Sequence, residues 1–567
     1  MNWISVGTLD QLKEKGSITL LGNDRPILIL WNEGSPKAID NRCPHMGFPL
    51  DQGTLVNGVL TCHWHHARFA LDGGSAFDLF ADDLITYDLR TVDGIIEVAA
   101  TPAKTSTPKT YKARLQRGLE QNLNLIQAKS ILGLLKLKVP TADILLELAR
   151  FGSQNHDIWA DGMTLIALIA NLDPVLSDQT RLYALTFAAN QIAHNCTRQP
   201  HRRERRSLEN NADSLERQRE WFHQWIQTRH RDGAERVLLT AAQNDPSPAA
   251  IQQTIAHGIL QRIYLNTGHL FDFSNKSIEL HTYFAQHNVP LDWADLLPLL
   301  IHESTTGQGE EDQGTWRSPR DLIPIIRDVE AHSKTITLGN QPLKEDITKI
   351  LLGDDPDKIL HTVLESLENG YSPVEVAYQI ALAAAWRMAH FSSANELNDW
   401  FNPVHAFIYA NATFQAFKRD PHPRLIPALF HGAIALYQDR FLNHPPAKIP
   451  PPESTETATG ELLESLLRSL DHAPHPSQTI QIAINYIHAG YPMEKLVDTL
   501  TWATIREDLD FHKLQVLEAA YQLSQHNPKA ETQALLFTGV LRHLAAHCPT
   551  PRNRIQSTRH ALKLHRT

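Results

Sequence analysis

Apolar and polar positions change rhythm once along the chain. In the first hundred residues the apolar positions come in short runs, Ile18 to Leu21, Pro26 to Trp31, Gly58 to Thr61, Ala67 to Leu71 and Gly94 to Val98, parted by Gly, Asn and Asp. Runs of that length between turn formers predict strands, so residues 1–100 read as a small all-β domain. Thr101 to Thr110, TPAKTSTPKT, has no apolar periodicity, and 101–114 is expected to be a linker. From 115 to 567 the spacing is helical, most clearly in Ile144 to Phe151, Met163 to Leu172, Ile359 to Leu367, Val374 to His390 and Leu514 to Leu523. Two stretches interrupt it: polar, Gly-rich Glu303 to Arg320, and His444 to Gly460, whose prolines stop a helix. The expected fold class is multidomain, a small all-β domain followed by a large all-α region.

The helical region repeats itself. Moving Val404 to Leu436 forward by about 107 positions lays His405 on His512, Ala412 on Ala519, Gln415 on Gln522, Phe430 on Phe537 and Gly432 on Gly539. Such self-similarity predicts diverged copies of a multi-helix unit, divisible into halves 115–340 and 341–567. Repeats of this kind serve equally as pure scaffold.

Composition narrows the function classes. The chain has 567 residues, 53 Lys+Arg against 63 Asp+Glu and a formal net charge of -10, which removes the electrostatic case for nucleic acid. Four cysteines are too few for a disulfide framework at this length. No run approaches the roughly 18 apolar residues that cross a bilayer, and Met1 to Asp10 lacks the pattern of a signal peptide. A cytoplasmic protein with no membrane partner is expected. The unusual count is 30 histidines, the side chain that most often binds metals near neutral pH.

The most specific motif is Cys43-Pro44-His45, then sixteen residues, then Cys62-His63-Trp64-His65. Two Cys and two His in CxH…CxxH on loops after strands suit a [2Fe-2S] cluster, with thiolates on one iron and imidazoles on the other; zinc takes the same ligand types. The pattern, with Gly47, Pro49, Leu50, Gly53 and Phe69, resembles the Rieske family. That resemblance implies Cys43, His45, Cys62 and His65 as cluster ligands. Respiratory-chain Rieske proteins add a disulfide whose cysteines would stand at Phe48 and Trp64, so the likeness is to the ferredoxin and oxygenase branch. It implies single-electron delivery, with an external reductase or ferredoxin as donor. No glycine-rich dinucleotide fingerprint is present.

The helical region has no DxxHxxxxH segment of the usual Rieske oxygenase catalytic domain. It resembles bacterial Rieske-fused helical proteins and, more distantly, the questin oxidase family. The residues concerned are His257-Gly258, Gly268 to Lys276 leading to Glu279, Val404 to Asn411, and Phe430-His431-Gly432. The resemblance implies a mononuclear non-haem iron, for which His257, His269, His405 and His431 are the candidate ligands, with Lys276 and Glu279 as candidate catalytic residues. The reading is an oxidoreductase, an oxygenase passing electrons from the cluster to that iron and acting on a hydrophobic or aromatic small molecule. The alternative is an electron-transfer or redox-sensing protein whose helical array is a partner-binding scaffold without a second metal. Core histidines bonded to carboxylates would give the same sequence signs.

Overall fold

The structure is a computed structural model that describes residues 2–566 except 22–24, 105, 210–212, 314–317, 319, 455–456 and 473–475. Parts of the expected linker (105) and of the two breaks (314–317, 319, 455–456) therefore lie outside the described residues.

Two compact units make up the chain, residues 1–147 with 555–567, and residues 148–554. The first holds nine strands, β1 (Trp3–Thr8), β2 (Ser17–Leu20), β3 (Ile27–Asn32), β4 (Ser35–Asp40), β5 (Thr54–Val56), β6 (Val59–Thr61), β7 (Arg68–Ala70), β8 (Thr86–Val92) and β9 (Ile95–Pro102). They form an antiparallel sheet in the order β1-β9-β8-β4-β3-β2 and a smaller one in the order β5-β6-β7. β3 is apolar from Ile27 to Trp31 because both its faces are covered: Ile27 and Ile29 join Ala38, Tyr87, Ile96 and Val98 in one core, while Leu28 and Leu30 join Ile39, Cys43, Cys62 and Phe69 in another. The second core is what the cysteine loops are anchored in. Apolar runs did not reveal β8, whose TYDLRTV leaves Asp88 and the last three residues exposed.

The linker and domain limits fall elsewhere than the sequence pattern suggests. β9 runs on to Pro102, and the Thr107 hydroxyl caps a helix from Pro108 to Glu120 by accepting from the Thr110 N–H. That helix pairs with Asn124–Lys136, and Gly133 allows the pairing, since a Cβ there would lie 2.4 Å from Tyr111. The C-terminal helix Gln556–Arg566 packs on the second of these. Residues 115–147 and the C-terminus thus belong with the β module, and 148–554 is one unit rather than halves parted at 340. No described helix is long and apolar enough to cross a membrane.

The described secondary structure of the second unit is helical, apart from an isolated bridge between Gln341 and Tyr371. Four of its helices, Asp161–Leu172, His269–Gln286, Leu397–Arg419 and His512–His526, pack in a ring, each against the next. The repeat has a structural counterpart outside the ring. Pro373–Ala389 packs against both Ile426–Gln438 and Ala530–Ala545, and the aligned glycines Gly432 and Gly539 face its Ile380 and Met388. A Cβ on Gly539 would come within 2.9 Å of the Met388 Cβ.

Inside the ring the core is polar. The Lys276 ammonium, 1% exposed, donates to Glu279 Oε2 at 2.9 Å and to both oxygens of Glu518 at 2.8 Å. Asn171 donates to Glu279 (2.8 Å) and Glu518 (2.6 Å), and Arg419 donates to Asn275 (2.7 Å), which holds the other oxygen of Glu279. Removing one member of such a cluster leaves buried charge without a partner. Lys276→Met is therefore expected to destabilise the chain by about 3–5 kcal/mol, read as a lower urea midpoint, whereas substitution of the exposed Lys13 leaves that midpoint unchanged.

Candidate redox and metal centres

The two cysteine loops are built alike. After β4, the Cys43 N–H donates to Phe48 O and the Gly47 N–H returns to Cys43 O (2.7 Å); after β6, Cys62 N–H donates to Ala67 O and His66 N–H returns to Cys62 O (3.0 Å). The closing residue of each loop is left-handed, Gly47 at φ 84 and His66 at φ 61, so His66 has a backbone role. His63 bonds Thr54 Oγ1 through Nε2 at 2.6 Å. Both thiols are buried, His45 is half-buried and His65 is exposed. The His45 and His65 rings stand nearly perpendicular, 4.9 Å apart. His45 Nδ1 is buried with no hydrogen-bond partner, and burial, with His65 and Lys129 nearby, pushes its pKa down to about 4. That keeps the ring in the neutral, ligating form. Burial, aided by Cys62, pushes the Cys43 thiol up to about 11, so ionising it calls for a neighbouring cation, as an iron would be. Two buried sulfurs with half-buried His45 and exposed His65 beside them fit a [2Fe-2S] cluster. All four cysteines are free.

A helix of the same unit, Asn124–Lys136, holds the first loop. Lys129 donates to Pro44 O, to His45 O (3.2 Å) and to Asp82 (3.2 Å), and Arg114 pairs with the same Asp82. Burial, with Arg114, pushes Lys129 down to about 7.

The second unit brings three imidazoles together at one end of the four-helix ring. Ligating atoms of His269, His405 and His512 all lie within 4.8 Å of one another. His405 Nε2 and His512 Nε2 are 3.3 Å apart, the spacing of two nitrogens each bound about 2.1 Å from one metal. His512 Nδ1 meets Asp510 Oδ1 at 3.0 Å, which leaves Nε2 as the lone-pair nitrogen, a carboxylate–histidine arrangement common behind metals. Burial raises the Asp510 carboxyl, but the His512 bond and Lys513 outweigh it and hold it low. His269 Nδ1 is buried without a partner, and burial, with His512 beside it, pushes this ring down to about 3. Phe273 stacks on His269 at 4.9 Å, Phe511 on His512 at 4.0 Å, and Phe401 lies 5.8 Å from His405.

Local backbone aims His269. It is the first residue of its helix, preceded by left-handed Tyr264 (φ 50), Asn266 (φ 51), Thr267 (φ 53) and Gly268 (φ 86). Left-handed backbone at a β-branched residue is costly and must be held by its surroundings. Gly268 is needed twice over, because a Cβ there would also meet Tyr409 and Tyr264 at 2.8 Å. The Asn266 side chain is fixed by Glu303 at 3.1 Å. The fourth helix of the ring begins at Asp161, whose carboxyl is raised by burial while His512 and His194 pull it down. Burial, with Asp161 nearby, lifts Glu303 to about 7.

Of the four histidines chosen from sequence, the structure gathers His269 and His405 but places His257 and His431 elsewhere. His257 Nε2 lies 3.2 Å from Glu220. His431, fully buried, meets Glu330 through Nε2 at 3.0 Å and accepts the Tyr264 N–H at 3.4 Å. His431 is a carboxylate-paired core histidine, whereas half-buried His257 stands beside Glu220 with no hydrogen bond at Nε2. His512 was missed as a ligand, although the repeat aligned it with His405. Lys276 and Glu279 satisfy each other and Glu518 in the ring's interior.

Comparison with known proteins agrees on the first unit. Residues 2–83 match the Rieske [2Fe-2S] domain family, so the N-terminal part is a Rieske domain, which implies the [2Fe-2S] cluster. A Rieske domain-containing protein of Homo sapiens is 31% identical over 75 residues, 12% of this chain and 48% of that protein. The ferredoxin component of naphthalene 1,2-dioxygenase/salicylate 5-hydroxylase systems of Ralstonia sp is 29% identical over 90 residues, 16% of this chain and 86% of that protein. Among solved structures, the ferredoxin of carbazole 1,9a-dioxygenase from Nocardioides aromaticivorans is 26% identical over 18% of this chain and 98% of its own, with a TM-score of 0.17. The chain spans less than half the length of the human relative.

Two outcomes follow. A positive charge at the cluster loop stabilises the extra electron of the reduced cluster, so Lys129→Met is expected to shift the reduction potential negative at pH 6 and Lys129→Arg to restore it, measured by EPR-monitored titration. Glu303, raised from 4.5 to about 7, keeps its proton in the folded chain where the unfolded chain has lost it. Its contribution to stability is full below about pH 4.5 and is lost as pH rises through 7. Glu303→Gln should flatten that part of the stability–pH curve in denaturant titrations.

Proposed function

We propose that the chain is a Rieske-coupled oxygenase in which an external reductase or ferredoxin reduces the cluster and a non-haem iron in the helical unit acts on a hydrophobic or aromatic small molecule. The observation that carries the reading is the convergence of His269, His405 and His512 from three helices, ring nitrogens inward and carboxylate-backed at His512. A bundle interior is where helical folds assemble such sites. Iron held there would supply one-electron chemistry toward dioxygen, and the Rieske domain the reducing equivalents.

The chain's own groups have distinct work. Asp510 holds the proton on His512 Nδ1 and orients the ring. Phe273, Phe401 and Phe511 line the imidazoles with apolar surface that excludes water. Asp161, half-buried, has its carboxyl pKa raised by burial against the pull of His512. Lys276 and Glu279 fix the helices rather than touch substrate. At the other centre, exposed His65 with Trp64, 52% exposed and 4.5 Å from it, is where the electron donor approaches. A ferredoxin component of ring-hydroxylating systems among the relatives supports the electron-delivery half of the reading.

Metal analysis of anaerobically purified protein tests it. About three irons per two acid-labile sulfides are expected, falling to two in His405→Ala and His512→Ala with the Rieske EPR signal intact. Asp510→Asn should weaken binding of the third iron roughly 10–100-fold. Two irons per two sulfides in the parent chain, with none added on reconstitution, would sink the oxygenase reading.

A further inference from the structure

His257, drawn away from the three-histidine site, lines a cavity of about 900 Å³ with His223, Glu330, Lys334, His422 and Arg424. Several polar atoms on its wall are unmet. His223 Nδ1 and Arg424 Nε are buried with no partner, and His257 Nε2, although 3.2 Å from Glu220 Oε1, is out of line for a hydrogen bond. Each such group is destabilising while it stays unsatisfied. Charge is also uneven. Arg327, Lys334 and Arg424 face Glu220 and Glu330; Arg327 is committed to Glu330 at 2.7 Å and Arg424 to Glu216 at 2.5 Å. Lys334 makes no ion pair among the described residues. Leu260, Pro423 and Pro427 supply an apolar wall.

From this geometry we infer that the cavity is a binding site for a small organic carboxylate, its acid group on Lys334 and the Arg424 Nε–H, its carbon skeleton against Leu260 and the prolines. His223 and His257 meet further polar atoms of the ligand. The site is connected to the His269 turn, since Glu330 on its wall holds His431, and His431 takes the N–H of Tyr264, the first left-handed residue before His269. Binding itself does not depend on a metal at His269. If the proposed oxygenase reading holds, this cavity names the chemical class of its substrate or effector as an organic acid.

Isothermal titration of the full chain with 2-naphthoate and decanoate, against 2-naphthamide and inorganic phosphate, decides the matter. The acids are expected to bind and the amide not. Lys334→Glu, at an exposed position, should weaken the acids about tenfold, and His223→Phe should weaken them while circular dichroism and cluster content stay unchanged. Equal binding of acid and amide, binding of phosphate alone, or acid affinity untouched by both substitutions would overturn the assignment. Metal content, measured on the same samples, separates this result from failure of the oxygenase reading.

Discussion

One buried ammonium ion sets the register of the helical unit. Lys276 bridges Glu279 on its own helix and Glu518 on another, Asn171 ties both carboxylates to a third, and Arg419 ties Asn275 to a fourth. A cluster like this is a poor source of net stability compared with apolar packing, because desolvating each charge offsets most of the attraction. It is intolerant of sliding, though, since a shift of one helical turn leaves at least one charge unmatched. His269 stands seven residues before Lys276, and His512 six before Glu518. At about 1.5 Å per residue, both lie about 9–11 Å beyond the cluster at one level. Matching Lys276 with Glu518 therefore levels His269 with His512.

The same logic organises the Rieske unit, where the constraint is burial. Leu28, Leu30, Leu50, Leu60 and Phe69 form the core into which Cys43 and Cys62 are set, and His45, two residues after Cys43, and His65, three after Cys62, lie nearer the solvent than the cysteines. Lys129 then adds from a helix what neither strand layer supplies, a cation on the carbonyls of Pro44 and His45. The two centres are thus built by opposite means, one by contiguous loop chemistry and one by helices far apart in sequence.

That difference explains what could be read from the chain. The Rieske domain was legible because CxH and CxxH set the residues of its two loops within a few positions, and the long apolar repeats gave the helical class. The strands β1, β4, β5 and β8 were not, being short or half-solvated. Gathering His269 with His405 and His512 required helix phase and register, which depend on Lys276 and Glu518, 242 residues apart. The alignment of His405 with His512 held a usable signal: equivalent residues of a repeat can face each other, here at 3.3 Å. The histidines beside glycines misled, since Gly258 makes room for Phe222 and Gly432 for Ile380 and Tyr409 rather than for a ligand.

Electrostatics at the end of the ring argue that the three imidazoles are poised for something other than packing. His269, His512 and Asp161 each begin a helix, and a helix start carries about half a positive charge. Burial, with His512 beside it, keeps the His269 ring neutral, and its ring nitrogens face those of His405 and His512. Imidazole nitrogens crowded in that way, 3.3 Å apart at His405 and His512, call for a shared proton or metal ion. Positive helix ends oppose the cation, and the carboxylate of Asp510, held low by His512 and Lys513, offsets them. The strained turn at Thr267 adds a conformational cost, which packing alone would not demand and which a bond at His269 would repay.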